Sequence, residues 1–450
     1  MVLLNNINQI IIMSNSFTTI TVQHFINMLK VFSVDFDVCD INKKSSIAEN
    51  YKRIRLKNPR IQDKNSSSPT TIQFGELVAG IVGQRMELPV AMKIFRNIDS
   101  PQISGLKYEA KVYKQIFEDI IEQKYSPNFI SYVGFGCCEK ENSCLLITET
   151  AGNGAQFSKP QLFPVYTLYN LYPSINDREK AKTLLQIIYS IELLNILRIV
   201  HNDLHINNIL VADFGEENKI PMIFMAKGKI FQINARFVPY LFDWDRSYSE
   251  KLGPNPRIEE EKSGFITNEF NPYRDLYTVF CNLTILSTGP SFISRYTGNE
   301  ITKKKETGQS VMILSKREVD KIDELDKSIY SRIDNNHIVY KLSRAEFNEI
   351  VKNSDQRGLP KDIDTIYFEI LLDEKNKNHL VLWNPLTCRL TANSSQFPTS
   401  AELLREEFSM FEISRETYKS LNFDKYFRYR MPLPEQSRTN DDLIEFMKTI

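Results

Sequence analysis

The pattern of apolar and polar positions divides the chain into a strand-rich part and a helix-rich part. Four short segments rich in β-branched and aromatic residues predict a hairpin at residues 72–82 and strands at 89–95, 129–136 and 143–150. Between the second and third segments, apolar residues at helical spacing predict a helix with Ser104 as its N-cap. This order predicts a small antiparallel sheet that carries one helix.

A longer helix is predicted to begin directly after Asn176, whose side chain can act as the N-cap. Its apolar residues recur every three or four positions: Ala181, Leu184, Leu185, Ile188, Ile191, Leu194 and Leu197. The helix should end just before Ile199, so that it delivers the polar loop from His201 out of a buried element. A sheet followed by a mainly helical part places the chain in the α+β class.

Changes in composition predict five units and one insertion. A Ser- and Pro-containing linker precedes the first strand, and a Gly-rich crossover follows the fourth. The predicted units are 1–70, an N-terminal extension; 71–150, the strand-rich unit; 151–299, the helix-rich unit with a β-like insertion at 216–236; 300–395, of unassigned role; and 396–450, a C-terminal helical segment.

Composition excludes several classes of protein. Lys plus Arg (56) equals Asp plus Glu (56), so no overall field favours nucleic acid. The first residues lack the basic segment of a signal peptide, and no apolar run reaches the roughly 18 residues of a membrane helix. A soluble, cytoplasmic protein is therefore expected. Its six cysteines lack zinc-site spacing and are predicted to be reduced thiols: Cys39, Cys137, Cys138, Cys144, Cys281 and Cys388.

Candidate chemistry lies in the polar loop after the long helix. The sequence there is His-Asn-Asp-Leu-His-Ile-Asn-Asn, from His201 to Asn208, and an apolar strand follows at once. The carboxylate of Asp203 can accept a proton from a hydroxyl group, and the amide oxygen of Asn208 can bind Mg²⁺. A carboxylate and an amide at this spacing are typical of a phosphotransferase.

The loop resembles the catalytic loop of the eukaryotic-type protein kinase superfamily, His-Arg-Asp-Leu-x-x-x-Asn. The resemblance implies a bilobal fold, with the small lobe at 71–150 and the large lobe core at 151–299. It also implies an enzyme that transfers the γ-phosphate of Mg·ATP to a Ser or Thr of a protein substrate. An insertion at 216–236 resembles the atypical haspin-like branch, and so does His205, which would lie at the nucleotide. In its general character the sequence also resembles the Ser/Thr kinases of large DNA viruses.

The resemblance implies two metal ligands, Asn208 and Asp243. Asp243 is the better candidate for the second ligand because it ends an apolar strand, at 238–242. Asp213-Phe214-Gly215 also spells the kinase metal motif, but it starts five residues after Asn208 and leaves no room for a strand, a turn and a second strand. We predict that it is an ordinary turn.

Further residues are assigned through the resemblance. Lys93 lies in an otherwise apolar strand and needs a compensating charge; the resemblance implies that it binds the α- and β-phosphates and pairs with Glu109 on the following helix. The Gly-rich loop would contain Gly75, Gly80 and Val82, with Leu77 in place of the middle glycine. Thr148 would lie beside the adenine, and Glu149 would be the first residue of the hinge segment.

Departures from the family pattern concern regulation. Asn202 replaces the arginine that binds an activation-loop phosphate in regulated kinases, and no Ala-Pro-Glu follows Asp243 closely. We therefore expect activity that does not depend on activation-loop phosphorylation. Trp244 would fill the core in place of phenylalanine, Asp245 replaces a glycine, and Asp275 would brace the catalytic loop.

Two other functions stay open. Small-molecule phosphotransferases that resemble aminoglycoside or choline kinases also carry His-x-Asp loops and Asp-Trp-acidic motifs, although the Gly-rich loop and the long insertion argue against this class. A catalytically dead pseudokinase scaffold is the third possibility, because Leu77 and His205 depart from the usual pattern.

Overall fold

The computed structural model describes residues 52–55, 70–81, 84–96, 98–138, 142–157, 159, 161–261, 268–285, 312–314, 330–332, 338–343, 365–373, 378–383 and 398–432. Most of the predicted N-terminal extension and Val82 lie outside these residues. The described part is a mixed α+β protein whose strands pair mainly in antiparallel fashion.

The strand-rich unit is one five-stranded sheet with the order β1-β2-β3-β5-β4. Each neighbouring pair is antiparallel. The strands are β1 Lys52–Arg55, β2 Thr70–Ile81, β3 Gln84–Phe95, β4 Tyr132–Cys138 and β5 Ser143–Glu149. The predicted antiparallel sheet is thus confirmed, with β1 as an additional strand that the pattern did not predict.

Helix α1, Ser100–Ile116, packs against this sheet and continues into a π-helical turn at Phe117–Ile121. The prediction that Ser104 caps the helix was wrong. Asp99 is the N-cap: its side chain accepts a hydrogen bond from the N–H of Gln102, and the Gln102 side chain accepts one from the N–H of Asp99. A proline at the start of the helix favours this earlier beginning, since its φ is already helical.

Two of the cysteines are not reduced thiols. Cys137 and Cys144 form a disulfide, which corrects the prediction for this pair. They face each other directly in the register of β4 and β5, which brings the two sulfur atoms together. The sequence did not reveal this pairing, because it depends on the register of the hairpin.

The helix-rich unit is built around α3, Asp177–Ile196, which is almost entirely buried. Asn176 caps it, as predicted, by accepting a hydrogen bond from the N–H of Glu179. The other elements here are β6 Val165–Thr167, α2 Leu168–Leu171, β7 Ile199–Val200, β8 Ile209–Asp213, β11 Phe237–Leu241, β12 Tyr248–Ser249, α4 Pro256–Glu261 and α5 Arg274–Ile285. Strands β8 and β11 pair antiparallel, and so do β7 and β12.

The insertion between β8 and β11 is a β-hairpin, as its pattern predicted. Strands β9, Ile220–Ala226, and β10, Lys229–Ala235, flank a two-residue turn. Both turn residues, Lys227 (φ 50°) and Gly228 (φ 80°), adopt the left-handed conformation that a tight hairpin turn requires.

The last described segment was predicted to be helical, and this holds only in part. It contains two short helices, α6 Ser400–Glu406 and α7 Arg415–Lys419, but it ends in strand β18, Phe427–Arg430. Strand β18 pairs parallel with β9 and so covers one edge of the insertion hairpin. A strand of four residues is too short to be predicted from the alternation of apolar and polar residues.

Residues 300–395 contribute a second five-stranded sheet, in the order β13-β17-β16-β15-β14. Its strands are β13 Met312–Leu314, β14 Tyr330–Arg332, β15 Ile338–Ser343, β16 Thr365–Asp373 and β17 Asn378–Trp383. Among the helices that the structure describes, none combines the length and the apolar character that a membrane span requires.

Candidate active site

Lys93 lies between two acidic residues that come from distant parts of the chain. Its Nζ is 3.1 Å from Oε1 of Glu109 on α1 and 2.7 Å from Oδ1 of Asp243. The Glu109 side chain is fully buried, whereas about a quarter of the Lys93 side chain is exposed. The predicted contact between Lys93 and Glu109 is present, and Asp243 adds a second ion pair that the sequence did not indicate.

The charges in this cluster determine its protonation. Burial alone would lower the pKa of Lys93, but Asp243 and Glu109 outweigh it and hold the pKa well above its usual range. Burial would raise the pKa of Asp243, yet Lys93 keeps it below its ordinary value. For Glu109, burial dominates and raises the pKa despite Lys93. The cluster therefore contains a protonated lysine, one carboxyl group whose pKa is lowered (Asp243) and one whose pKa is raised (Glu109).

The pairing of β8 with β11 brings Asn208 and Asp243 together. Ile209 lies opposite Leu241 in the register, so each candidate metal ligand lies just outside the same end of the strand pair. The N–H of Phe242 donates to the main-chain oxygen of Asn208 at 3.3 Å. Asp213, the aspartate of the competing Asp-Phe-Gly motif, lies at the opposite end of the strand pair and faces Phe237.

Asp213 has a structural partner of its own. Nε and Nη2 of Arg236 each donate to one of its carboxylate oxygens at 2.7 Å. These hydrogen bonds hold the pKa of Asp213 below its ordinary value. Asp213 is the last residue of β8 and not part of a turn, whereas Phe214 and Gly215 follow it outside the strand, so the motif lies at a strand end away from Asn208.

Asp203 is held on one side and open on the other. Nη1 of Arg246 donates to its Oδ2 at 2.9 Å, while Oδ1 lies 4.0 Å from Nε2 of His205. The amide nitrogen of Asn208 donates to the main-chain oxygen of Asp203 at 2.9 Å, which closes the loop. Burial lowers the pKa of His205, although Asp203 opposes this effect, so the imidazole is neutral at pH 7.

Asp275 contacts the loop as the sequence predicted. Its carboxylate is buried and accepts the N–H groups of His201 at 2.7 Å and Asn202 at 2.9 Å. Burial raises the pKa of Asp275, and these contacts oppose the rise. The Asn202 side chain accepts from Arg274 at 3.1 Å and donates to the main-chain oxygen of Arg246 at 3.1 Å. Asn202 thereby joins the polar loop to the segment after Asp243, and Arg274 and Asp275 of α5 hold Asn202 in place.

Trp244 fills the space behind the site and is fully buried. Its ring packs edge-on against Tyr113, at 6.4 Å between centroids, and lies 4.5 Å from the His201 ring. The hydroxyl of Tyr113 accepts the N–H of Asp243 at 3.0 Å, which supports the left-handed backbone there (φ 68°). Tyr113 follows Glu109 by four residues on α1, a spacing from which it could have been identified.

Four of the predicted nucleotide-binding residues, Gly75, Gly80, Thr148 and Glu149, lie on the five-stranded sheet. The prediction of a hairpin at residues 72–82 was wrong, because both glycines lie within the single strand β2. In the β2–β3 register, Gly75 faces Val90 and Gly80 faces Arg85. Thr148 faces Ala91 of β3 and is half-buried. The side chain of Glu149 is buried and accepts both the N–H (3.1 Å) and the hydroxyl (2.7 Å) of Ser131, so it does not face an open cleft.

Arg246 and Arg257 are site residues that the sequence analysis missed. Arg257 lies 2.6 Å from the carboxylate of Asp245, whose pKa is raised by burial and by Asp243. The available signal was the position of Arg246 directly after the Asp-Trp-Asp sequence. Nothing in the spacing of Arg257 points to its partner.

The oxygen donors at this end of the strand pair suit a hard divalent cation. Among the described residues, no hydrogen bond is made to the side-chain oxygen of Asn208 or to Oδ2 of Asp243. An amide oxygen and a carboxylate oxygen are the ligands that Mg²⁺ prefers. No cluster of three or more His, Cys, Asp or Glu side chains suited to a metal occurs in the part of the chain that the structure describes.

Comparison of the chain with protein-family models and with curated proteins found no match. The functional argument therefore depends on the geometry of the site and on the motifs in the sequence.

Proposed function

We propose that the chain is a Ser/Thr protein kinase that transfers the γ-phosphate of Mg·ATP to a hydroxyl group of a protein. The observation that carries this proposal is the Lys93 cluster, in which residues 150 positions apart meet within hydrogen-bonding distance. A surface lysine needs neither a fully buried glutamate nor a second carboxylate. Phosphate binding requires a cation that is fixed in place, and this arrangement supplies one.

The proposed fold is bilobal. The five-stranded sheet and α1 would form the small lobe, and the elements around α3 would form the large lobe. In support, Lys93 and Glu109 come from the first set of elements, whereas Asp203 and Asp243 come from the second. A nucleotide between the two sets would be in reach of all four side chains.

Each side chain has a separate role in the proposed mechanism. Mg²⁺ held by Asn208 and Asp243 would neutralise charge on the phosphates. Lys93 would bind the α- and β-phosphates, and Glu109 would keep its ammonium group in position. Oδ1 of Asp203, the oxygen that Arg246 does not hold, would accept the hydrogen bond of the substrate hydroxyl and orient it for in-line attack.

Arg246 would act as a positioning residue in this mechanism. Its side chain is only 11% exposed and its guanidinium group binds one oxygen of Asp203. That contact would fix the orientation of the carboxylate, so that the other oxygen faces the acceptor.

The same contacts support activity without activation-loop phosphorylation. In the proposed enzyme, Asn202 donates to the main-chain oxygen of Arg246, and Arg246 donates to Asp203, so the catalytic loop and the segment after Asp243 are connected directly. Helix α5 holds Asn202 in place. No phosphate is needed to bring these two segments together. We infer that the site is assembled as soon as the chain folds.

Transfer of labelled γ-phosphate from Mg·ATP, to the protein itself and to a generic basic protein, tests this proposal. Asp243→Asn should lower the rate by at least about 100-fold, since it removes the negative charge of a metal ligand and of the ion pair with Lys93. Asp213→Asn is the matched control, because it changes the same residue type in the competing motif; its rate should stay within about threefold of wild type.

Melting temperatures of both variants establish that they are folded. Equal losses in the two variants, or transfer that survives in Asp243→Asn, would refute the assignment of the metal ligands. Binding of Mg·ATP without transfer to any protein would refute the kinase and point to a scaffold or to a small-molecule acceptor.

A further inference from the structure

A pocket of about 630 Å³ lies outside the candidate active site, at the junction of four segments. One wall is the turn at residues 123–125, directly after the π-helical end of α1, and another is strand β18 with Met431 and Pro432. Met225 of β9 and Tyr418 of α7 complete it. None of these residues belongs to the Lys93 cluster or to the catalytic loop.

The charge of the pocket is uniformly positive. Three of its residues are cationic, Lys124, Arg428 and Arg430, and none of the residues that line it carries a carboxylate. The chain as a whole has equal numbers of positive and negative residues, so this is a local excess. Within the described part of the chain, neither Lys124 nor Arg428 forms an ion pair.

The strand places the two arginines on the same side. Side chains alternate along a strand, so Arg428 and Arg430 share one face while Tyr429 between them is buried on the other. Tyr429 stacks on Phe224, with ring centroids 5.4 Å apart, which fixes the register of β18 on β9. The guanidinium group of Arg428 lies 4.8 Å from the centre of the Phe423 ring, a contact that orders its side chain.

A buried polar group in the same pocket lacks a partner. Tyr418 is 1% exposed, and its hydroxyl makes no hydrogen bond in the described part of the chain. Tyr418 contributes to the wall of the pocket, but its hydroxyl oxygen has almost no exposed surface, so this group is not available to a ligand in the pocket.

We propose that this pocket binds a phosphate monoester carried on a compact ligand, such as a phosphorylated serine side chain of a polypeptide. Guanidinium groups match the oxygens of a phosphate with paired hydrogen bonds. The apolar surfaces of Tyr125, Met225 and Met431 suit the carbon atoms next to the phosphate. The pocket is local and the net charge is zero, which disfavours a long nucleic acid backbone.

Fluorescence anisotropy with the full-length chain tests the proposal. The probe is a labelled peptide of neutral residues around one phosphoserine, compared with the same peptide without phosphate. We expect the phosphorylated peptide to bind at least about tenfold more tightly. Competition with inorganic phosphate and with O-phosphoserine distinguishes a phosphate site of any source from one that also needs the peptide.

Variants assign the binding to this pocket. The double variant Arg428→Gln, Arg430→Gln should lose at least about tenfold in affinity, whereas Arg405→Gln, an exposed arginine of α6 outside the pocket, should not. Lys124 lies on an exposed turn, so Lys124→Gln provides a second test if the double variant does not fold. Equal binding of the two peptides, or full binding by a folded pocket variant, would overturn the proposal.

The outcome is independent of the proposed kinase activity. Mg·ATP binding, measured in the same samples by the shift in melting temperature, should be unchanged in the pocket variants. Loss of Mg·ATP binding together with peptide binding would show that the substitutions damage the whole fold and would overturn the assignment of a separate site.

Discussion

The buried carboxyl group of Glu149 should make the stability of the strand-rich unit depend on pH. Burial raises its pKa from 4.5 to about 7, although the N–H and the hydroxyl of Ser131 both donate to Oε1. The folded chain therefore holds a proton that the unfolded chain releases at lower pH. The stabilisation is complete below about pH 4.5 and is lost as the pH rises through about 7.

The size of the effect follows from the pKa. One pH unit is equivalent to about 1.4 kcal/mol, so a rise from 4.5 to about 7 corresponds to about 3 kcal/mol of stability. Glu149→Gln removes the titration and keeps the oxygen that accepts from Ser131. Its NH₂ group takes the place of Oε2, which has no partner in the described residues, and this costs about 1 kcal/mol.

Urea unfolding followed by circular dichroism gives the free energy of unfolding at each pH. The variant should be less stable than wild type at about pH 4 and more stable, by about 2 kcal/mol, at about pH 8. Glu118→Gln, at an exposed position directly after α1, is the matched control and should show no such crossover. A difference between Glu149→Gln and wild type that stays constant over this range would refute the reasoning.

Three further predictions concern the candidate active site. Lys93→Met should lower the rate of phosphate transfer by at least about 100-fold. It should also destabilise the fold more at about pH 8 than at about pH 6, because the buried Glu109 then has to ionise without a cation beside it. A transfer assay and urea unfolding test this, and full activity would contradict it. Arg246→Gln should lower kcat by about tenfold with little change in the KM for ATP, and Arg246→Lys should restore part of the loss; steady-state kinetics with unchanged kcat would exclude a positioning role. Asp275→Asn should destabilise the protein by about 1–3 kcal/mol, since one oxygen that accepts a main-chain N–H becomes a donor; an unchanged urea midpoint would contradict this.

Local signals account for the elements that the sequence predicted. Helix α3 has a capping residue and an apolar stripe over 20 residues, so packing, capping and periodicity all favour the same helix. The contact of Lys93 with Glu109 was predictable because an isolated lysine in a buried strand requires a carboxylate within reach. The choice of Asp243 over Asp213 depended on the length of chain needed to form two strands and a turn.

The remaining features depend on the register of distant segments. Arg246 lies beside Asp203 only because β12 pairs with β7, and no property of the arginine itself reveals this. The disulfide between Cys137 and Cys144 depends on hairpin register in the same way. For Glu149, the sequence gives a carboxylate at the end of a strand, and its inward orientation depends on Ser131 across the sheet.

The parallel pairing of β18 with β9 has a consequence for the synthesis of the protein. Gln232 of the insertion donates to the hydroxyl of Tyr426, which is 194 residues later in the chain. At about 5–20 residues per second, a ribosome needs on the order of 10–40 s to make the intervening length. Throughout that time the edge of β9 presents unpaired main-chain groups to other nascent chains. The edge of β9 is therefore protected from pairing with other chains only after strand β18 has been made.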